Sequence, residues 1–275
     1  MFEQDFLFLH LMSSSKSNPI GFFDSGIGGT SIWKEVQELL PYENTIYLAD
    51  SKNSPYGQKS EEKILEYSIK NTEFLLNKNV KIIIIACNTA TTNAISFLRN
   101  KYNVPFIGIE PAIKPAELVT KTKKIGLLAT RGTLQSALFE KTSLTIDGSI
   151  KIIEQVGEGL VNLIEEGETH SFKINKLLRE YLNPMMRENI DALVLGCTHY
   201  PYLIPEIKKI VGNTIKIIDS GSAVARQTKN ILNSHGLLKT NNGIEAIHQF
   251  YSNKNTHILS RILNNKLLEV IEKDF

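Results

Sequence analysis

The chain has 275 residues and a net charge of +2, formed by 31 basic and 29 acidic residues. Apolar residues make up 42% and charged residues 22%, which is ordinary for a globular protein of one large or two average domains. The charge is too balanced for a nucleic-acid-binding protein, so we expect no nucleic-acid partner. Two cysteines do not make a disulfide framework, which predicts a reducing, cytoplasmic location.

Residues 1–17 are interpreted as an N-terminal tail with no role in the fold. Their apolar stretch at 6–12 follows acidic residues, unlike the basic start of a signal peptide, and it is too short to span a bilayer. We therefore expect no membrane partner. Met12 is an alternative start to Met1, and the folded part of the chain is expected to begin at Asn18.

From residue 18 to 110, short apolar runs alternate with amphipathic segments. The four isoleucines Ile82–Ile85 show no polar alternation, which is typical of a parallel strand buried on both faces. The βαβα order predicts a doubly wound parallel sheet. Its strands are predicted at 20–23, 45–49, 82–85 and 104–110, and its helices at about 30–40, 60–78 and 92–100.

The pattern pauses at residues 111–115 and then starts again. Gly21 and Gly126 occupy similar strands and differ by 105 positions (126 − 21), while Cys87 and Cys197 differ by 110 (197 − 87). Such regular offsets indicate duplication. The new strands are predicted at 124–129, 150–155, 191–196 and 215–218, with helices at about 159–164 and 173–188.

This duplication predicts an α/β fold of two pseudo-symmetric, doubly wound parallel-sheet domains, with the active site in the cleft between them. We assign residues 18–110 and 222–275 to the first domain and residues 111–221 to the second. The segment from Ala223 onward is expected to return to the first domain as a helix and two shorter pieces.

Both cysteines end a buried strand and are followed by small polar residues. If a pseudo-twofold axis relates the domains, the thiols of Cys87 and Cys197 lie on opposite sides of the cleft. One thiolate could then remove a proton from a carbon while the other thiol supplies a proton to the opposite face. The arrangement predicts inversion of a stereocentre by proton transfer.

Free thiols are only about 3% ionised at pH 7, so the site must favour the thiolates. We expect helix N-termini after Cys87 and Cys197 to lower the pKa of both thiols, with Asp24 and His199 assisting. From the residues alone, the cysteines could instead be inert packing residues or form a disulfide, and Asp24 could be a helix N-cap. His199 has no second His or CxxC at ligand spacing, so no metal is expected.

Four motifs, in order and spacing, resemble those of the glutamate racemases, cofactor-independent members of the aspartate/glutamate racemase family. They are Gly21–Gly29, Ala49–Ser51 with Pro55–Gly57, Ala86–Ala90, and Gly196–Pro201. The resemblance implies interconversion of L- and D-glutamate without a cofactor, a role in bacterial peptidoglycan synthesis, and a homodimer. An aspartate or hydantoin racemase, a related one-cysteine decarboxylase and a non-catalytic amino-acid-binding regulator stay open as alternatives.

The resemblance also implies roles for individual residues. Cys87 and Cys197 would be the acid/base thiols, supported by Asp24 and His199 respectively. Each thiol would thus have one titratable partner on its own side of the cleft.

A further cleft carboxylate is implied at Glu165, with its neighbour Glu166 as the alternative. The charged groups of the amino acid would be held by hydroxyl, amide and backbone contacts. The residues implied for this binding are Asp24, Ser25, Tyr56, Gly57, Asn88, Thr89, Thr198 and His199.

Overall fold

A computed structural model of the protein describes residues 15–241, 243–264 and 268–275. Most of the predicted N-terminal tail, including both candidate start residues, lies outside these ranges. Two residues of that tail nevertheless contact the fold: the Lys16 carbonyl accepts a hydrogen bond from the buried Lys81 ammonium, and the Ser17 carbonyl accepts one from Asn44. Across the described ranges, no helix is long and apolar enough to cross a membrane.

The first sheet has six parallel strands in the order β10-β9-β2-β1-β3-β4. Its strands are β1 (Ile20–Asp24), β2 (Thr45–Ala49), β3 (Ile82–Ile85), β4 (Phe106–Gly108), β9 (His248–Ser252) and β10 (Val270–Glu272). The helices in the same parts of the chain are α1 (Thr30–Leu39), α2 (Glu61–Leu76), α3 (Asn88–Lys101), α10 (Gly221–Ser234) and α11 (Thr256–Leu263), and Tyr56–Gln58 forms a 3-10 turn. The C-terminal segment thus returns to extend the first sheet.

The second sheet has four parallel strands in the order β6-β5-β7-β8. They are β5 (Lys124–Ala129), β6 (Lys151–Val156), β7 (Ala192–Gly196) and β8 (Lys216–Ile218). The helices of this half are α4 (Ile113–Glu117), α5 (Arg131–Leu134), α6 (Ala137–Ser143), α7 (Leu160–Glu165), α8 (Phe172–Arg187) and α9 (Ile204–Val211), with a 3-10 helix at Tyr200–Leu203.

Both sheets repeat one topology. The order β2-β1-β3-β4 in the first corresponds strand for strand to β6-β5-β7-β8 in the second. The prediction of two pseudo-symmetric parallel sheets is therefore confirmed. In these two orders, β3 and β7 occupy equivalent central positions. Cys87 follows the carboxyl end of β3, and Cys197 follows that of β7.

Burial explains why the central strand reads as continuous isoleucine. All four side chains of Ile82–Ile85 are fully buried between helices on the two faces of the sheet. Burying each such side chain contributes about 1.5–3 kcal/mol before the entropy cost of ordering it. A polar residue on either face would lose this contribution. The apolar run therefore fixes where the strand lies in the sheet, and with it the position of the cysteine that follows.

Element boundaries differ from the predictions at several places. The strand expected at 104–110 is only Phe106–Gly108, since Pro105 has no N–H to donate to the sheet. The pause at 111–115 contains the start of α4. Helix α3 begins at Asn88 rather than near residue 92, because the Cys87 sulfur caps it by accepting the Ala90 N–H.

The chain crosses between the two halves twice, at neighbouring places. It leaves the first sheet after Gly108 and returns after Ile218, and there the Ser220 hydroxyl donates to the Glu110 carbonyl at 2.6 Å. The largest apolar cluster joins residues of both halves, including Ile27 from the first and Ile164 from the second. The cleft is therefore closed by apolar packing as well as by polar contacts.

Candidate active site

The two cysteines line one narrow cavity, with Cys87 on the first half and Cys197 on the second. Both are buried and free, so the disulfide alternative is not present. The cavity is so small that it has room for about one water molecule. In this closed arrangement, two unpaired thiols share a narrow compartment between the sheets.

The Cys87 thiol lies at the N-terminus of α3. Its sulfur accepts the Ala90 N–H at 3.4 Å, and its S–H points to the Ser25 hydroxyl at 3.8 Å. The expectation that the helix N-terminus lowers the pKa of this thiol is wrong for the closed structure. Burial raises that pKa well above its usual value, and the nearby Asp24 charge adds to the effect, while the Ala90 N–H only partly opposes it.

Asp24 stands behind Cys87 at the end of β1 and is fully buried. Its Oδ2 accepts the N–H groups of Gly29 at 2.8 Å and Gly26 at 3.3 Å, which shape the turn leading into α1. Burial raises the pKa of Asp24 from 3.8 to about 6, although the neighbouring His199 acts in the opposite direction. The carboxyl can therefore hold or release a proton near neutral pH beside Cys87.

The Cys197 side is built differently. The helix expected after Cys197 begins only at Tyr200, beyond a turn, and its first segment is the 3-10 helix Tyr200–Leu203. The partner of this sulfur is instead His199, whose Nδ1 lies 3.8 Å away. Burial lowers the pKa of His199, but hydrogen bonds with Cys197 and Glu165 outweigh it and raise that pKa well above 6.5.

Glu165 completes this side of the cleft. Its Oε1 lies 2.6 Å from His199 Nε2 and accepts the Ile27 N–H at 2.7 Å, while its Oε2 accepts the Ser51 hydroxyl at 3.1 Å. Glu165 belongs to the second half, whereas Ile27 and Ser51 belong to the first. Glu166 is exposed, so the structure places Glu165 and not its neighbour in the cleft.

Asn88 carries an unused hydrogen-bond donor. The residue is 2% exposed, lines the cavity, and its side-chain Nδ2 has no partner within the described part of the chain. A buried amide donor without a partner is costly, so it is expected to gain one when the site is filled. An acceptor oxygen, such as that of a carboxylate, is the matching group.

A cluster of threonine hydroxyls joins the two halves next to Asn88. Thr89 Oγ1 lies 2.8 Å from Thr130 Oγ1 and 3.3 Å from Thr133 Oγ1. Thr198, from the second half, donates its hydroxyl to Asp24 Oδ1 at 3.5 Å. These hydroxyls can donate or accept, which suits a site that must hold both an ammonium and carboxylates.

Tyr56 and Gly57 line the same cavity, but the tyrosine hydroxyl is already used. It donates to Asp50 Oδ2 at 2.6 Å and accepts from Asn71. These two hydrogen bonds fix the loop that brings Tyr56 and Gly57 to the cavity wall. At Gly57 the chain closely approaches Thr130, and an added Cβ would lie 3.0 Å from that side chain.

The structure brings every predicted binding residue to the cavity wall except Asp24. Asp24 does not line the cavity but interacts with Cys87, which does. In the same way, Glu165 does not line the cavity but contacts His199, which does. Sequence reasoning missed three lining residues: Pro55, Thr130 and Val161. Thr130 could have been found from the duplication, since it stands 105 positions after Ser25. Within the described ranges, no group of three His, Cys, Asp or Glu side chains could hold a metal ion.

Comparison with known proteins places this geometry in a family. Residues 30–228 match the sequence profile described as Asp/Glu/Hydantoin racemase. The glutamate racemase of Ralstonia pickettii is 46% identical over 226 residues, covering 82% of this chain and 80% of that protein. The glutamate racemase of Herpetosiphon aurantiacus is 40% identical over 242 residues, covering 88% of this chain and 95% of that protein.

Solved structures agree with the sequence matches. A glutamate racemase isoform from Bacillus anthracis has a TM-score of 0.85 at 32% identity, covering 94% of this chain and 98% of that one. The glutamate racemase of Francisella tularensis, solved in complex with D-glutamate, has a TM-score of 0.80 at 30% identity over the same shares. The chain with these two facing thiols belongs to the Asp/Glu/hydantoin racemase family and is an isomerase.

Proposed function

We propose that the protein interconverts L- and D-glutamate by proton transfer at Cα between two cysteines, without a cofactor. The observation that carries this proposal is the placement of the Cys87 and Cys197 thiols in one closed cavity, one from each half of the duplicated fold. Glutamate is favoured as the substrate because the similar proteins from Ralstonia pickettii and Herpetosiphon aurantiacus are glutamate racemases and the Francisella tularensis structure holds D-glutamate.

In one direction, the Cys197 thiolate takes the Cα proton and forms its thiol. The bond electrons stay on the substrate as a carbanion conjugated with the α-carboxylate. The Cys87 thiol then gives its proton to the opposite face of Cα and becomes the thiolate, so the product is the other enantiomer. The reverse direction exchanges the roles of the two sulfurs, and atoms and charge balance in both.

The two sides supply different means of stabilising a thiolate. A protonated His199 can donate from Nδ1 to Cys197 while Glu165 holds its Nε2–H. On the other side, Asp24, whose pKa is raised to about 6, can take up a proton and so relieve its repulsion of a Cys87 thiolate. Each thiol therefore has a partner that can change charge with it.

The most demanding step is the formation of negative charge on the substrate. Donors that face the α-carboxylate would stabilise this charge, each by about 3–4 kcal/mol when well placed. The unpartnered Asn88 amide is one such donor, and the hydroxyls of Ser25 and Thr198 are others at the cavity wall. The side-chain carboxylate of the substrate could accept hydrogen bonds from the hydroxyls of the threonine cluster, Thr89, Thr130 and Thr133.

Binding requires the cleft to open, because the closed cavity has room for about one water molecule and an amino acid is far larger. The proposed domains, residues 18–110 with 222–275 and residues 111–221, would separate about the two neighbouring crossings held by Ser220 and Glu110. Closure then excludes water and aligns the thiols, so domain motion is expected to gate turnover.

The cellular part of the proposal is that the enzyme acts in the cytoplasm as a homodimer and supplies D-glutamate for peptidoglycan. It follows from the resemblance to glutamate racemases. Growth of a strain lacking this protein only when D-glutamate is supplied would support the role, and size-exclusion chromatography with light scattering tests the dimer.

The activity is tested by incubating the purified protein, without added cofactor, with each enantiomer of glutamate and of aspartate. Chiral chromatography should show L- and D-glutamate converging on equal amounts, with aspartate turned over much more slowly. Faster inversion of aspartate would reassign the substrate within the family. No inversion of either amino acid would contradict the proposed function.

A further inference from the structure

A chain of hydrogen bonds runs from Tyr202 to a backbone turn of the opposite half. The Tyr202 hydroxyl lies 2.5 Å from Thr30 Oγ1, and Thr30 Oγ1 donates to the Ile27 carbonyl at 2.6 Å. A threonine hydroxyl has a single proton, which is used by the bond to Ile27. Tyr202 must therefore be the donor to Thr30, which fixes the direction of the chain.

The same backbone residue contacts the catalytic groups through its amide. The Ile27 N–H donates to Glu165 Oε1 at 2.7 Å, and this oxygen lies 2.6 Å from His199 Nε2. His199 in turn holds the Cys197 sulfur through Nδ1. The carbonyl of Ile27 is thus held by Tyr202 through Thr30, and its amide is held by Glu165. Both Tyr202 and Glu165 come from the second half.

These contacts lie in a protected part of the interface. Thr30 is fully buried and Tyr202 is partly buried, and burial raises the pKa of Tyr202 above its usual value. A neighbouring bond, from the Ser31 hydroxyl to the Thr198 carbonyl at 2.8 Å, ties the turn after Cys197 to the same end of α1. A buried, paired hydroxyl such as that of Thr30 restricts geometry more than an exposed one.

We propose that Tyr202 and Thr30 are positioning residues for the proposed racemisation: acting through Ile27, Glu165 and His199, they hold the Cys197 sulfur at its working distance from the substrate Cα. The inference rests on the proposed two-thiol function and extends it to residues that do not line the cavity. It predicts that loss of either hydroxyl impairs the Cys197 step and leaves the Cys87 step intact.

Kinetic isotope effects can separate the two steps. Two enantiomers have equal free energy, so kcat/KM must fall equally in both directions when either step is slowed. With Cα-deuterated substrates, however, slowing the Cys197 step raises the primary isotope effect for the enantiomer that Cys197 deprotonates. It lowers the effect for the other enantiomer, whose deprotonation by Cys87 becomes reversible before the slow step.

The test compares Tyr202→Phe and Thr30→Val with Thr30→Ser, which keeps the hydroxyl. Loss of one buried hydrogen bond predicts a fall in kcat/KM of about five- to tenfold for the first two variants, with isotope effects that move in opposite directions for L- and D-glutamate. Thr30→Ser should restore both values. Thr228→Val is the matched control, because Thr228 is also fully buried and donates to a backbone carbonyl, that of Val224, at 2.8 Å.

Wild-type activity is measured first, so failure of the proposed function is seen before any variant is compared. The positioning role is supported if Tyr202→Phe and Thr30→Val give the divergent isotope effects while Thr228→Val changes only the melting temperature. It is overturned if Tyr202→Phe and Thr30→Val, after correction for folded protein, keep the wild-type kcat/KM and isotope effects, or if both isotope effects change in the same direction.

Discussion

Glu165 and His199 form a buried pair, with Oε1 and Nε2 2.6 Å apart, and the same carboxylate oxygen accepts the Ile27 N–H from the opposite half of the protein. This one oxygen therefore links the charge state of the Cys197 side to closure of the cleft. Under the proposed domain motion, opening the halves would remove the Ile27 contact and leave Glu165 less constrained. In the proposed mechanism, this single carboxylate would therefore couple closure of the cleft to activation of the Cys197 thiol.

Glu165→Gln should impair catalysis because an amide cannot hold a protonated His199 as a carboxylate does. Losing a charged, buried hydrogen bond predicts a fall in kcat/KM of about 10- to 100-fold. Glu166→Gln is the matched control, since Glu166 is the adjacent, exposed residue. Steady-state racemisation kinetics should show the loss only at position 165; equal losses at both positions would contradict the assignment.

Asn88→Ala removes the unpartnered amide donor from the cavity. We expect kcat/KM for glutamate to fall about tenfold or more, because the donor is proposed to pair with a substrate carboxylate. Asn100→Ala, at an exposed position of the same helix, should leave the kinetics unchanged. An Asn88→Ala enzyme with wild-type kinetics would show that the amide has no role in binding.

Gly28→Ala tests how closely the first turn packs on the Cys197 side. A Cβ at position 28 would lie 2.2 Å from His199 Nδ1, so the imidazole would have to shift from the position in which Nδ1 contacts Cys197. A displacement of this size predicts a loss of activity of about 100-fold. Gly148→Ala, where no atom lies within 4 Å of the added Cβ, should be silent in the same assay. Full activity of Gly28→Ala would contradict the packing described.

The raised pKa of Asp24 predicts a specific pH dependence of stability. Its ordinary value of 3.8 becomes about 6 on folding, so its contribution is fully present below pH 4 and is lost as the pH rises through 6. Between pH 4 and 7 this loss amounts to about 3 kcal/mol. Asp24→Asn should therefore show a free energy of unfolding that declines less over this range, as measured by chemical denaturation at several pH values. Parallel pH profiles for the two proteins would contradict the burial effect.

The sequence alone predicts the parts of this site that depend on local pattern. The run of four isoleucines places Cys87 at the end of a central strand, and the offset of 110 positions places Cys197 at the equivalent point. Parallel topology then brings both ends to the cleft. The same offsets could also have indicated Thr130, which follows β5 as Ser25 follows β1.

What the sequence does not predict depends on contacts between distant residues. Ile27 and Glu165 are 138 positions apart, and no local pattern marks a backbone amide as the partner of that carboxylate. The pKa of Cys87 was predicted in the wrong direction because the helix N-terminus is a local feature, whereas complete burial and the Asp24 charge arise from the closed cleft. Glu165 could be distinguished from Glu166 only by their burial.

The central claim is that each thiol serves one face of Cα, and the single variants Cys87→Ser and Cys197→Ser test it most directly. Each variant is incubated with L- and D-glutamate in D₂O, and the enantiomers and their Cα deuterium are measured by chiral chromatography with mass spectrometry. We predict that the wild type forms the opposite enantiomer with deuterium at Cα and that neither variant inverts either enantiomer. Inversion at the wild-type rate by either variant would contradict the two-thiol mechanism.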